Sequence, residues 1–461
     1  MTLRRTSMRS NRLAFRTIRL LTALTLLLSP SVVNADPLIT LTNGINWAAT
    51  TKTDSWIEAP LDDAFYTPPN DFATNHPNPG DIIRTQPAPH LLNTFGPNFP
   101  GYAQKILYTS TDEKGRPVAV SGYIIEPTVP WTGPGPTPTI VFAPGTRGQA
   151  DICAPSRGTW LLSSVAPTTG AFSINYELPL QYYAAQQGIR VVMTDYIGLG
   201  TPGVHTYINA IEQSHAVLDA ARATIKAMGV PADSPIGFHG YSQGGGAAAA
   251  AAENAASYAP ELNVKGTYAG APPANLEEVF NAVDGSTISG VLGMSINGFA
   301  ARDDEVRHIF DRYLSDYGRE FLATVATSCV PDSAAHYAFV SSEKFTVDGT
   351  NLATVVSKEP ELQATLKKHR IGLKRPNAPI MVATSIADDI IPTEQAKQLA
   401  QDFCALGSAV EFHETHLPRV TPDVASGVNH ALQLFGDAPA SISYLMDRFN
   451  NRPAPTNCGA L

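Results

Sequence analysis

Residues 236–252 read IGFHGYSQGGGAAAAAA: a short apolar run, then a serine two positions from a glycine on either side, then glycines and six alanines. Few folds accommodate that order. A strand that ends at a serine and turns at once into a helix forces the serine into a strained conformation. It also brings the chain before and after the turn into contact. Glycines at 240 and 244 remove Cβ atoms from that crossing. Alanine is the strongest helix former, and a run of small residues lets the helix lie tight on a sheet. In this setting the match of Gly240-Tyr241-Ser242-Gln243-Gly244 to G-x-S-x-G predicts a nucleophile elbow, with Ser242 as the nucleophile. The bland alternative is a glycine turn that exposes an idle serine.

The surroundings of the elbow predict an α/β fold with a mainly parallel sheet. Residues 105–127 read as two β-branched, alternating runs joined at Lys114-Gly115, which is a hairpin signal. TIVFAPG, RVVMTDY, SPIGFH and VKGTYAG then read as strands, and IEQSHAVLDAARATIKAMGV between them as an amphipathic helix. Strands alternating with helices imply helices on both faces of the sheet. The alternation stops over residues 274–376, which read as a helical insertion. It resumes with PIMVATS as strand, IADDIIP as loop and a helix with Thr393 as its N-cap. AVEFHETHLP is the last strand, and VNHALQLFGDAPASISYLMDRF the last helix. Residues 36–100, rich in Pro and Asn, read as an irregular surface segment.

A serine hydroxyl needs a base to take its proton and an acid to orient the base. On a fold of this kind the chain order is Ser, Asp or Glu, then His. Six histidines follow Ser242. His308, His336 and His369 lie in the inserted segment, and His413 and His416 in or at the end of the last strand. His430 falls in the loop after that strand, at the start of the last helix, and is the candidate base. The acid belongs in the loop after the penultimate strand, where Asp388 and Asp389 are both candidates and Asp388 is preferred. Two adjacent acids point in different directions, so only one can meet the imidazole. The oxyanion donors expected are the backbone N–H of Gln243 and a group near Thr146 and Arg147 in the APGTRG loop.

Residues 1–35 hold six arginines and no acid, then an apolar stretch at 20–28, and Val33 and Ala35 at positions −3 and −1 of a cut before Asp36. That is the layout of a signal peptide, with an apolar stretch too short to span a bilayer well. The expectation is a secreted protein cleaved near Ala35, with no stable membrane anchor and at most transient contact with a lipid interface. Residues 36–461 would carry 26 basic and 41 acidic residues. So acidic a surface repels phosphate backbones, which argues against nucleic-acid partners. Cys153, Cys329, Cys404 and Cys458 form no CxxC pair, so zinc has no support. In an oxidising compartment they suggest two disulfides, in any of three connectivities.

With these residues in place the chain resembles the secretory lipase family of fungal and actinobacterial enzymes. The segments that carry the resemblance are GTRGQADICAPS, TDYIGLGTPGVHTY, GYSQGG, ADDIIP and NHALQLF. The resemblance implies an α/β-hydrolase core (36–273 and 377–461) with residues 274–376 as a helical cap over the site. It makes the first residue of the D-[ED]-I-[IV]-P motif the acid, which is Asp388 here. It also implies bridges from Cys153 to Cys329, tying the oxyanion loop to the cap, and from Cys404 to Cys458, pinning the C-terminal tail. The expected activity is hydrolysis of acyl esters of lipids through Ser242, His430 and Asp388, with no metal or cofactor. An acyltransferase using the same residues is the nearer rival, and a non-catalytic binding protein on an esterase fold the more distant one.

Overall fold

The computed structural model describes residues 63–92, 100–158, 160–166, 171–422 and 424–461. The segment read as a signal peptide lies outside the described residues. The sheet is built from β1 (Ile82–Pro87), β2 (Gly101–Thr111), β3 (Pro117–Pro127) and β4 (Thr139–Ala143). A small separate hairpin, β5 (Ser163–Val165) and β6 (Phe172–Ile174), precedes the helix α1 (Leu178–Gln186) and the strand β7 (Arg190–Thr194). The helix α2 (Ala210–Met228) leads to β8 (Ile236–Tyr241), α3 (Gln243–Tyr258) and β9 (Val264–Gly270).

Helices then follow without a strand: α4 (Leu276–Val283), α5 (Gly290–Ala300), α6 (Asp304–Tyr313), α7 (Asp316–Ala326), α8 (Val330–Tyr337), α9 (Leu352–Lys358) and α10 (Pro360–Lys368). The chain returns to the sheet with β10 (Ile380–Ser385), α11 (Thr393–Ala405), β11 (Val410–Thr415) and the long α12 (Val428–Phe449).

Among the described residues nine strands form one sheet in the order β1-β2-β3-β7-β4-β8-β9-β10-β11. The β1/β2, β2/β3 and β3/β7 pairs are antiparallel and every pair from β7 to β11 is parallel. This is the α/β-hydrolase arrangement, with β8 and the elbow near the middle of the parallel half. The central strands β4, β7, β8 and β10 are buried throughout, as a sheet covered on both faces requires. On one face α2 and α3 bury their alanines, Ala216, Ala220, Ala247, Ala248 and Ala251 among them, against Val141, Val192 and Phe238. On the other, α12 packs Ile442, Leu445 and Phe449 against Phe142, Tyr268 and Met381.

Two local expectations are corrected. Residues 82–87 are not irregular; they form the edge strand β1, paired to β2 with a register shift at Ile82/Arg84. An edge strand buries little on either side, and its residues are only half-buried or exposed, so it carries no clean alternation to read. Thr393 is not an N-cap. The helix caps on Pro392, and the Thr393 hydroxyl instead donates to the Ser385 carbonyl at 2.8 Å, pinning α11 to the end of β10.

The helical insertion has a core of its own, in which Phe280, Met294, Phe310, Phe321 and Phe345 are buried together, and that cluster reaches Tyr207, Tyr241 and Ile390 of the sheet domain. The apolar segment 286–301 supplies α5 and much of this core. Polar ties reinforce the contact. Arg302 pairs with the fully buried Glu212 at 2.6 Å, and Lys368 and His369 both face Glu113 on the β2–β3 turn.

Candidate active site

The elbow forms where the glycines require it. Ser242 sits at φ 60°, ψ −124°, a conformation costly for any residue with a side chain. A Cβ at Gly240 would lie 1.9 Å from the Gly244 carbonyl oxygen, and one at Gly244 would lie 2.0 Å from that of Ala143. The chain crosses itself too closely there for any side chain. The Ser242 N–H is held by the Gly270 carbonyl at 2.9 Å, and its Oγ caps nothing in α3. Strain in the backbone thus lifts a half-buried hydroxyl clear of the helix that follows.

His430 is the third residue of α12, and Tyr241, the neighbour of the serine, is its contact. The Tyr241 hydroxyl donates to the His430 carbonyl at 2.5 Å, and the two rings lie tilted by 38° with centroids 5.0 Å apart. The other side of the imidazole meets Asp388: Nδ1 lies 2.8 Å from Oδ2 of a carboxylate that is fully buried. The second carboxylate oxygen, Oδ1, accepts from the backbone N–H groups of Ile390 and Ile391, both at 2.9 Å. Asp388 is therefore fixed at both oxygens. A carboxylate at Nδ1 keeps the ring proton there, which leaves Nε2 as the basic nitrogen.

Asp389 does separate work that the sequence did not reveal. Its Oδ2 accepts from the backbone of Ser426 (3.0 Å) and Gly427 (3.1 Å), and its Oδ1 from the backbone N–H of His430 (3.0 Å). The N-terminus of α12 has no cap of its own at Gly427, so Asp389 satisfies its free N–H groups from another loop. These contacts span 37 or more residues, so no local pattern announces them.

The APGTRG loop lies beside the elbow. Gly145 donates its N–H to Glu177 at 2.9 Å, and Glu177 also pairs with Arg147, both side chains being about 2 % exposed. Burial pushes the Glu177 carboxyl up, opposed by Arg147. The Arg147 guanidinium stacks on the Tyr176 ring at 3.9 Å. Arg147 is thus an anchor of the loop, and the residue left half-exposed is Thr146, whose hydroxyl lies 3.0 Å from that of Tyr207. Gln243 begins α3, where backbone N–H groups have no partner within the helix. Its side chain is buried and turned to His205 at 3.2 Å.

Cys153 is bonded to Cys329, and Cys404 to Cys458. The first bridge joins the segment after the APGTRG loop to the start of α8, next to a Gly148–Cys329 β-bridge. Among the described residues no group of three or more His, Cys, Asp or Glu is placed to hold a metal ion, and no helix is long and apolar enough to cross a membrane.

A serine on a strained strand-to-helix turn, with an imidazole and a buried carboxylate in the expected chain order on this sheet, defines an α/β-hydrolase. The profile of the family described as secretory lipase matches residues 164–457, and the chain belongs to that family. Lipase-type carboxylic-ester hydrolysis is the chemistry of its class. Lipase 10 of Candida albicans is 27 % identical over 416 residues, covering 87 % of this chain and 83 % of that one. A Mycobacterium tuberculosis protein described as a probable inactive lipase is 26 % identical over 401 residues, covering 86 % and 83 %. The crystal structure of Candida antarctica lipase A superposes with a TM-score of 0.72 at 22 % identity, covering 88 % of this chain and 89 % of that one. The rice cell wall degrading esterase LipA of Xanthomonas oryzae gives 0.63 at 18 %, covering 81 % and 100 %.

Proposed function

We propose that this chain is a secreted serine esterase with lipase character, in which Ser242, His430 and Asp388 act as a catalytic triad on acyl esters of lipids. Ser242 Oγ attacks the ester carbonyl while its proton passes to His430 Nε2. Asp388 holds the ring in the tautomer that makes this possible and stabilises the imidazolium. The oxygen that becomes negative is met by the Gln243 N–H and by Thr146. His430 then returns the proton to the departing alcohol, leaving an acyl-enzyme. Water attacks that ester with His430 again as base, releasing the fatty acid and restoring the serine. No step draws on a metal or cofactor. In this reading residues 274–376 are the cap over the site and residues 1–35 are removed on export. The sheet domain is then made of residues 36–273 and 377–461.

The observation that carries the proposal is the contact of His430 Nδ1 with the buried Asp388 carboxylate at 2.8 Å, beside a serine whose backbone is strained. One relative is described as inactive, so membership of the family alone does not carry activity. Activity is supported by the presence here of Ser242, Asp388 and His430 and by the contact of the last two. The test is hydrolysis of p-nitrophenyl esters by the wild type and Ser242→Ala, with a fluorophosphonate probe as the second readout. Loss of both turnover and labelling in the variant is expected, and retained turnover would end the proposal. Product analysis with an added alcohol separates hydrolysis from acyl transfer.

A further inference from the structure

The motif TDYIGLGTPGVHTY has no place in the mechanism above, yet its last three residues touch both expected halves of the oxyanion site. His205 is buried, with Nδ1 3.1 Å from the Ile197 carbonyl oxygen, so Nδ1 carries the proton and donates. Nε2 then holds the lone pair and accepts from the Gln243 side-chain amide at 3.2 Å. Burial pulls this imidazole down to about 4, which keeps it neutral and an acceptor at working pH. Its ring stacks on Tyr196, whose hydroxyl donates to the Pro144 carbonyl at 2.8 Å, at the head of the APGTRG loop. Two residues on, the Tyr207 hydroxyl meets that of Thr146 at 3.0 Å.

The same three residues are wired to the cap. Gln149 donates to the His205 and Met294 carbonyls, each at 3.0 Å, and accepts from Asn297 at 2.9 Å, the last two residues lying on α5. Thr206 donates to Glu212 at 2.7 Å, and Glu212 pairs with Arg302, just beyond α5.

We propose that His205 and Tyr207 are positioning residues for the oxyanion site, His205 fixing the Gln243 side chain at the start of α3 and Tyr207 the Thr146 hydroxyl, with α5 of the cap tied to His205 through Gln149 and to Thr206 between them through Glu212. The inference rests on the reading of Gln243 and Thr146 as oxyanion donors. The carbonyl of the Ser242–Gln243 peptide is held by the Gly246 N–H at 3.0 Å, and the His205 contact holds the same residue by its side chain, so losing it shifts the first turn of α3 and with it the Gln243 N–H. A Tyr207 hydroxyl that donates to Thr146 leaves the threonine proton free for the same oxygen.

The test compares His205→Phe, His205→Gln, Gln243→Met and Tyr207→Phe with the wild type on a soluble ester. Affinity for an alkyl boronic acid, which forms a charged tetrahedral adduct on the serine, is the second readout. The expected result is a fall of roughly 10- to 100-fold in kcat for His205→Phe, Gln243→Met and Tyr207→Phe, the scale of a misplaced reacting group. KM should stay within about twofold, because the contact matters only where charge develops. Boronic acid affinity should fall in step with kcat, a change that loosened packing alone would not produce. His205→Gln, which returns an acceptor, should recover most of the loss, and His205→Phe combined with Gln243→Met should be no worse than either alone. Should His205→Phe fail to fold, Gln243→Met and Tyr207→Phe carry the test. Unchanged kcat in these variants while Ser242→Ala is dead would overturn the positioning role alone. Turnover by Ser242→Ala would overturn the reading beneath it.

Discussion

Asp389 holds the backbone N–H of His430 at 3.0 Å while its neighbour Asp388 holds the ring of the same residue at 2.8 Å. Two consecutive acids thus fix one histidine, one through its main chain and one through its imidazole. Substitution separates the roles. Asp388→Asn keeps the shape but favours the wrong ring tautomer, and kcat is expected to fall about 10⁴-fold. Asp389→Asn leaves that contact intact and weakens the cap of α12, so the larger effect falls on stability, about 1–3 kcal/mol. Esterase kinetics together with denaturant unfolding check both. A loss in Asp389→Asn as deep as in Asp388→Asn, with the fold intact, would reverse the assignment.

The glycines of the elbow predict a graded series. Gly240→Ala and Gly244→Ala place a Cβ within 2.0 Å of main-chain oxygens that cannot move without undoing the turn. Both variants are expected to lose activity and soluble expression. At Gly246 the nearest atom is Pro273 Cδ at 3.1 Å, a side-chain contact, and alanine there favours the helix by about 1 kcal/mol. Gly246→Ala should therefore fold and retain turnover. Melting temperatures and ester hydrolysis of the three variants, made in parallel, decide the point.

What the sequence disclosed and what it hid divide along the range of the interactions. The helix α2 was legible because its apolar face repeats locally, and the structure adds a cap at Asn209, which accepts the Glu212 N–H at 3.0 Å. The limits of α12 and the crossing at Ser242 were legible for the same reason, since a few adjacent residues settle them. The order of Ser242, Asp388 and His430 could be reasoned out because the sheet fixes which loops meet. The contacts of Asp389, Glu177 and His205 could not be, because their partners lie 30 to 41 residues away and no local pattern pairs the two positions. The edge strand β1 was hidden for a further reason. It is defined by pairing with β2, and its own side chains are too little buried to alternate.

The Arg147–Glu177 pair predicts a large, one-sided cost. Both side chains are about 2 % exposed, so removing the carboxylate charge leaves a guanidinium buried without its counter-charge. Glu177→Gln is expected to cost about 3–5 kcal/mol in stability. It should also lower kcat, since the Gly145 N–H and the loop that carries Thr146 hang from the same carboxylate. Urea denaturation and kinetics on one ester measure both. A variant as stable as the wild type would show that the pair is not the anchor of the loop.

The disulfides should differ in what they protect. Cys153–Cys329 closes a loop of 176 residues and Cys404–Cys458 one of 54. Loop-closure entropy alone gives about 5 and about 4 kcal/mol respectively, so both serine pairs should melt earlier. Only the first bridge joins the segment that follows the APGTRG loop to the helical insertion. Cys153→Ser/Cys329→Ser is therefore expected to lower kcat well below the melting transition, and Cys404→Ser/Cys458→Ser to leave it near wild type. Equal activity in the two pairs, measured at a temperature where both are folded, would remove the cap-to-site link from the account.

Glu253 predicts how stability changes with pH. It lies on α3, and its carboxylate accepts the Gly372 N–H at 2.9 Å, on the segment by which the chain leaves the helical insertion for β10. Burial pushes this carboxyl up to about 7, against an ordinary value of 4.5. Between those two values the native protein keeps a proton that the unfolded chain has already lost. Native protein thus binds more protons over that window, and stability falls as pH rises through it. The contribution should be fully lost above pH 7 and fully present below 4.5. Glutamine mimics the protonated acid and still offers an oxygen to Gly372. Glu253→Gln should therefore match the wild type near pH 5 and exceed it at pH 8 by about 2–3 kcal/mol, the size of a shift of this order. Paired denaturant titrations at the two pH values measure the difference. A gain of equal size at both would show that the charge of Glu253 is not its source.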